Sequence, residues 1–261
     1  IKRFYFPNHI LTQAPLKDEE RAELLFQRGM LYDSVGLSGL ARYDFMQALE
    51  LKPDMAEAHN SIGIHYIQQM DFIMAYESFD STLDINPDYD FAILNRGIAL
   101  YYGGRAGLAV SDLSRFYEKD KRDPYRVLWS FIVEQSVDRN KALINLAEHR
   151  KALDEENWAT KIVDFYLGKV DEAAVIARLV EDVNSQKQLN DRLCEAYFYL
   201  GKYHSDIGNK VTAANYFKLS LSTNVFEYVE HRFSRVELSR LREKRKEDSI
   251  DSDQKNAEAT Q

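Results

Sequence analysis

The 261-residue chain has one cysteine, five prolines and no apolar run near the ~18 residues that a membrane-spanning helix needs. A lone thiol, Cys194, cannot form an intramolecular disulfide, so packing alone must hold the core. That suits a reducing compartment and equally an oxidising one whose proteins need no staples. Catalytic signatures are missing as well: there is no H-E-x-x-H, no C-x-x-C, no G-x-S-x-G and no phosphate-cradling glycine loop. The six histidines are scattered, and His59 and His65 stand six apart, off a common helix face, unlike an i,i+4 metal pair. Positive charge is in deficit, with 34 Lys and Arg against 42 Asp and Glu, a net charge of −8 and a pI near 5.4. Phosphate binding needs a basic surface. The sequence therefore predicts no nucleic acid partner, no metal, no cofactor and no enzymatic activity.

What the sequence does contain is a period. Gly29, Gly63 and Gly97 stand thirty-four residues apart. Three residues after each come Tyr32, Tyr66 and Leu100; twelve after, Ala41, Ala75 and Ala109; sixteen after, Phe45, Phe79 and Leu113. Pro53 and Pro87 follow the first two copies. Small, aromatic, small, aromatic and proline in that order and at that period mark the helix-turn-helix tetratricopeptide repeat. The predicted fold is an all-α tetratricopeptide-repeat (TPR) superhelix, or solenoid. A repeat cannot bury its apolar stripe alone, so helix A packs on its own helix B and on the next repeat. Gly29 and Ala41 allow close approach, and Phe45 fills the space beside them.

Six segments follow. Residues 1–17 carry two prolines, no helical period and the apolar residues Phe4, Tyr5, Phe6, Ile10 and Leu11. They read as a segment packed over the first repeat, or as a dimer contact. Residues 18–123 hold three repeats, with Asp18 and Ser38 as helix caps and turns at Pro53-Asp54, Asp71 and Gly103-Gly104. Residues 124–190 hold degenerate helix pairs near 124–135, 139–151, 155–167 and 172–184, capped by Asp123, Asp138, Asp154 and Asp171 and stopped at Gly168. The period returns over 191–225 with Gly201, Ala213 and Phe217. A helix over 226–247 runs from acidic to basic, matching the helix dipole, with a basic docking surface as the other reading. Residues 248–261 have no aromatic residue and no apolar period and read as a disordered tail. The chain opens Ile1-Lys2-Arg3, without methionine or an apolar signal core, and reads as a processed product.

The inner face of the A helices is the candidate binding groove. Its apolar positions are Phe26, Met30, Ile64, Ile67, Phe91, Leu94, Ile98 and Tyr101, with Glu23, Asp33, Glu57 and Asn60 among them. Such a stripe is too apolar to face water without cover, so either an internal helix or another chain fills it. The lysines of repeat domains that grip chaperone C-termini are absent.

The stretches LFQRGMLYDSVGLSGLARYDFMQALELKPD (25–54), LNRGIALYYGGR (94–105), FYLGKY (198–203) and VEHRFSRVEL (229–238) resemble the NlpI family of bacterial lipoproteins, over about residues 18–240. The resemblance implies an all-helical homodimer facing the periplasm, tied to the outer membrane by an N-terminal lipid. It implies an adaptor that binds a tail-specific, Prc-type periplasmic protease and delivers a peptidoglycan endopeptidase for degradation. Links to murein hydrolases and cell division belong to the same implication. No cysteine precedes Cys194, so the lipid anchor rests on the resemblance alone. From a different class, a structural or chaperone-like module holding apolar peptides in the groove is the second reading.

Overall fold

A computed structural model describes the backbone of residues 2–258 and the side chains of 7 and 9–243. All its regular elements are helical: α1 (Lys2–Gln13), α2 (Asp18–Ser34), α3 (Ser38–Leu51), α4 (Ala56–Gln68), α5 (Phe72–Ile85), α6 (Asp90–Tyr102), α7 (Ala106–Lys119), α8 (Pro124–Gln135), α9 (Arg139–His149), α10 (Thr160–Tyr166), α11 (Glu172–Val180), α12 (Gln186–Asp206), α13 (Lys210–Ser222) and α14 (Val229–Glu258). A 3₁₀ turn, Arg150–Ala152, follows α9. Two compact units divide the chain, residues 1–175 and 176–261.

In the first unit, α2–α3, α4–α5 and α6–α7 are the A and B helices of three repeats, and α8–α9 is a fourth pair. The glycines work as their spacing predicts. A Cβ on Gly29 would come within 2.6 Å of the Phe45 ring, one on Gly63 within 2.6 Å of Phe79, and one on Gly97 within 1.8 Å of Leu113. Gly201 and Phe217 repeat the contact at 2.7 Å between α12 and α13 of the second unit. Phe45, Phe79, Leu113 and Phe217 are fully buried, as are Ala41, Ala75, Ala109 and Ala213. Turns within the pairs use glycine where the backbone is left-handed: Gly36, Gly104 and Gly208 have φ of 79°, 77° and 81°.

Caps follow the sequence at several helix starts. Asp71, Asp123, Asp138 and Asp171 accept the backbone N–H of Met74, Tyr125, Lys141 and Ala174. Pro124 occupies the first turn of α8, where its missing N–H costs nothing. Asp18 and Ser38 lie one residue inside their helices; the caps are Lys17 and Leu37. Glu20 carries the first of these ends, accepting the Lys17 backbone N–H at 3.0 Å. Asp154 does not start a helix. Its carbonyl accepts the Thr160 hydroxyl at 2.7 Å, and α10 begins only at Thr160.

The two ends depart from expectation. Residues 2–13 form a helix despite Pro7, because α1 packs on α2: Leu11 is buried and its carbonyl accepts the Arg21 guanidinium at 3.2 Å. The tail expected to be irregular from 248 continues α14 to Glu258, while 259–261 lie outside the described residues. Adding a residue to an existing helix costs far less than nucleating one, and residues 229–238 are already docked. In that docked part Phe233, Val236 and Leu238 are buried, Lys202 of α12 pairs with Glu237 at 2.8 Å, and Tyr199 donates to Glu230 at 3.0 Å.

Candidate functional site

The A helices α2, α4 and α6 carry the expected groove residues, but not as one water-facing stripe. Ile67, Leu94 and Ile98 are interior, at 1%, 5% and 0% exposure. The reason is geometric. Because α4 packs directly on α6 as well as on its own B helix, the inner edges of both A helices are closed over. Facing outward are Met30 (43%) and Phe91 (62%), with Phe26, Ile64 and Tyr101 half-buried. Phe26 tilts against the Phe45 ring at 5.6 Å, and Tyr101 meets Tyr102 edge-on at 4.9 Å. These five side chains are the apolar surface that the inner face offers.

Polar pairs stitch neighbouring A helices beneath that surface. His65 of α4 lies 3.1 Å from the Asp33 carboxylate of α2, both buried. Asn95 of α6 donates its amide to Asn60 of α4 at 3.0 Å, again buried. A buried polar group is costly unless it is hydrogen-bonded, so these pairs fix the register of one A helix on the next. Asp33 and Asn60 stand at groove positions in the sequence, yet each is turned into the helix interface. His59, six residues from His65, is engaged elsewhere, 2.8 Å from the Pro53 carbonyl. Among the described residues no three His, Cys, Asp or Glu converge as metal ligands would.

A second set of pairs escaped the sequence reading. Arg28 grips Asp44 at 2.6 and 2.7 Å, and Arg96 grips Asp112 at 2.8 Å through both oxygens. Each arginine precedes a repeat glycine, and each aspartate precedes the residue that packs on that glycine. The Asp44 and Asp112 hydrogen bonds push both guanidinium pKa values above their usual range, against the opposing effect of burial. Arg-Gly followed sixteen residues later by Asp-Phe or Asp-Leu was the available signal.

No family model matches the chain. Among solved structures, a tetratricopeptide repeat protein from Parabacteroides merdae matches it over 91% of this chain and 90% of its own, with a TM-score of 0.56 and 16% identity. A chain of the APC/C hetero-tetramer Cut9–Hcn1 matches over 92% of this chain and 46% of its own, with a TM-score of 0.54 and 14% identity. The fold is that of tetratricopeptide repeats. It is the architecture that the glycine period predicts, and at these identities the likeness concerns the fold. Within it the tetratricopeptide signature is carried by α2–α7 and by α12–α13, and the pairs between them lack the repeat glycine.

Proposed function

We propose that the chain is a non-catalytic protein-binding scaffold whose inner face takes a segment of a partner protein. The observation that carries this reading is the outward apolar set Phe26, Met30, Ile64, Phe91 and Tyr101, seated on A helices whose polar groups are already paired with one another. Apolar side chains left at the surface gain by being covered, and repeat domains present such surfaces along their stacked helices.

The finer reading rests on the resemblance to NlpI-type lipoproteins. In it the chain is a homodimer in the periplasm, held at the outer membrane by a lipid on a preceding segment. It brings a peptidoglycan hydrolase to a tail-specific protease, and so bears on peptidoglycan remodelling and cell division. Co-docking alone supplies the effect: two partners on one scaffold meet as if intramolecularly, which adds ~10²–10⁴ in apparent affinity without a new contact between them.

Reconstitution tests it. Substrate loss should rise and then fall as the scaffold is titrated against fixed protease and hydrolase, because excess scaffold separates the two partners. A Phe91→Asp chain with an unchanged melting temperature should lose delivery. Normal delivery by that chain removes the inner face from the reading, and cleavage by the chain alone removes the scaffold.

A further inference from the structure

Most of the exposed large hydrophobic residues of the first unit lie on the turns that join each A helix to its B helix. Thirteen such residues are exposed among the described residues of that unit, and seven fall in four short stretches, 35–40, 69–74, 103–108 and 137–142. They are Val35, Leu37 and Leu40 after α2, Ile73 and Met74 after α4, Leu108 after α6 and Val137 after α8. Because A and B helices alternate in direction, the four turns share one edge of the stack. Leu40, Met74 and Leu108 stand thirty-four residues apart, at the same place in three repeats. Ile73 and Leu108 are 65% and 60% exposed.

One of these turns works against its own backbone. Gly36, Met70 and Gly104 occupy the same position in successive repeats, and all three are left-handed, with φ of 79°, 62° and 77°. Glycine adopts that conformation freely, whereas a residue with a Cβ is strained in it. The second repeat thus holds a half-buried Met70 at its turn where the backbone favours glycine. A strained residue kept at an apolar tip points to a use for the tip.

Charge on the edge differs from that of the whole chain. The four stretches carry the cations Arg105, Arg139 and Lys141 and the carboxylates Asp71 and Asp138, one net positive charge in a chain of net charge −8. Asp71 and Asp138 each accept a backbone N–H as helix caps, and the carboxylates behind Leu108, Asp80 and Asp112, are both held by Arg96. Set back from the tips are the half-buried Tyr32, Tyr66 and Tyr76. The guanidinium groups of Arg28, Arg42 and Arg105 lie over these rings at 5.9, 4.6 and 5.1 Å.

We propose that this edge rests against a lipid surface, with the aliphatic turn residues entering the acyl boundary and the tyrosine–arginine pairs at headgroup level. A row of turn tips is a ridge, and a bilayer deforms around a ridge where a folded partner would need a matching groove. Apolar residues backed by aromatic rings with a polar end are the arrangement that interfacial segments use. The edge brings no excess of carboxylates against lipid phosphates. This goes beyond the inner-face reading and does not depend on it.

The test is cosedimentation of the full chain, without attached lipid, with vesicles of phosphatidylethanolamine and phosphatidylglycerol. Half-binding is expected at or below about 1 mM lipid. Ile73→Asp, Leu108→Asp and Met70→Gly should each weaken it about threefold to tenfold or more, Met70→Gly without lowering the melting temperature. Phe91→Asp on the inner face and Ile85→Asp at the far end of α5 should leave it unchanged. Circular dichroism verifies that each variant folds. As a measurement that needs no loss of binding, brominated lipid should quench an Ile73→Trp chain more than an Ile85→Trp chain, since both share Trp129 and Trp158. Absence of binding at that lipid concentration, undiminished binding by the edge variants, equal loss with Ile85→Asp, or equal quenching of the two tryptophan chains overturns the proposal. Conversion of a dimer to a monomer by Ile73→Asp also overturns it, since a second copy then covers the edge.

Discussion

Arg28 and Asp44 hold each other through two hydrogen bonds of 2.6 and 2.7 Å, one residue before Gly29 and Phe45 make the closest packing contact of the first repeat. Asp44 is almost sealed from water, at 1% side-chain exposure, while Arg28 keeps 19%. The charged pair and the packed pair lock the same two helices at the same level. Arg28→Ala strands a buried carboxylate and should cost roughly 3 kcal/mol, less than a fully buried pair because Arg28 reaches solvent. Arg28→Met with Asp44→Leu should recover most of that loss. Urea denaturation of the single and double variants measures both; a single variant as stable as the parent would show that the pair contributes nothing.

Gly63 and Gly39 make a matched test of glycine function. An added Cβ at Gly63 meets three atoms of the buried Phe79 ring at 2.6–2.9 Å, whereas one at Gly39, inside α3, meets nothing within 4 Å. Gly63→Ala should destabilise by about 1–3 kcal/mol through overpacking. Gly39→Ala should stabilise by about 0.5–1 kcal/mol by restricting the unfolded chain and improving helix propensity. Melting temperatures moving in opposite directions are the expected result.

Cys194 should be chemically silent in the folded protein. It is fully buried, and burial pushes its thiol up to about 12, partly offset by the Ser220 hydroxyl at 3.5 Å. At pH 8 the thiolate is then about one part in ten thousand. A thiol reagent should label the chain only after denaturant is added. Stoichiometric labelling of the native protein within minutes would contradict this placement.

Two histidines should make the fold lose stability as the pH falls below neutral. Burial lowers the pKa of His149, stacked on Tyr117 at 4.0 Å, and of His231, whose Nε2 lies 3.2 Å from the Leu221 carbonyl. Both folded values sit below the unfolded value of about 6.5. The unfolded chain therefore binds protons first. The stability these neutral rings contribute is complete above about pH 6.5 and is lost as pH falls through the folded values. The urea midpoint should drop between pH 7 and pH 5, and an H149F/H231Q chain should show a flatter profile over that window. An equal slope in parent and variant would assign the drop to other groups.

The repeat frame could be read from sequence because each glycine has no side chain and its partner sixteen residues on is large: Gly29–Phe45, Gly63–Phe79, Gly97–Leu113 and Gly201–Phe217 all meet as predicted. Burial on the inner face was less legible. A hydrophobic stripe on helix A serves both the surface and the next A helix, and residue type does not separate Ile64, half-exposed, from Ile67, sealed. The Asp33–His65 and Asn60–Asn95 pairs join different repeats at separations of thirty-two and thirty-five, so no periodic signal marks them. The helical N-terminal segment was hidden for a related reason: its docking on α2 overrides what Pro7 suggests locally.

Those separations bear on where the chain can change length. Inside a repeat, Gly29 to Phe45 and Arg28 to Asp44 both span sixteen residues across one turn, and the same count returns for Gly63–Phe79, Arg96–Asp112 and Gly201–Phe217. An inserted residue between Gly29 and Phe45 would have to be absorbed by the turn alone, or both pairs would fall out of step. Between repeats the step is constant as well, eighteen residues from Phe45 to Gly63 and from Phe79 to Gly97, but there the polar pairs Asp33–His65 and Asn60–Asn95 sit at different positions of the repeat. An insertion at the Gly36 or Gly104 turn should therefore be rejected, because one turn holds both a packed pair and a charged pair at the same sixteen-residue reach.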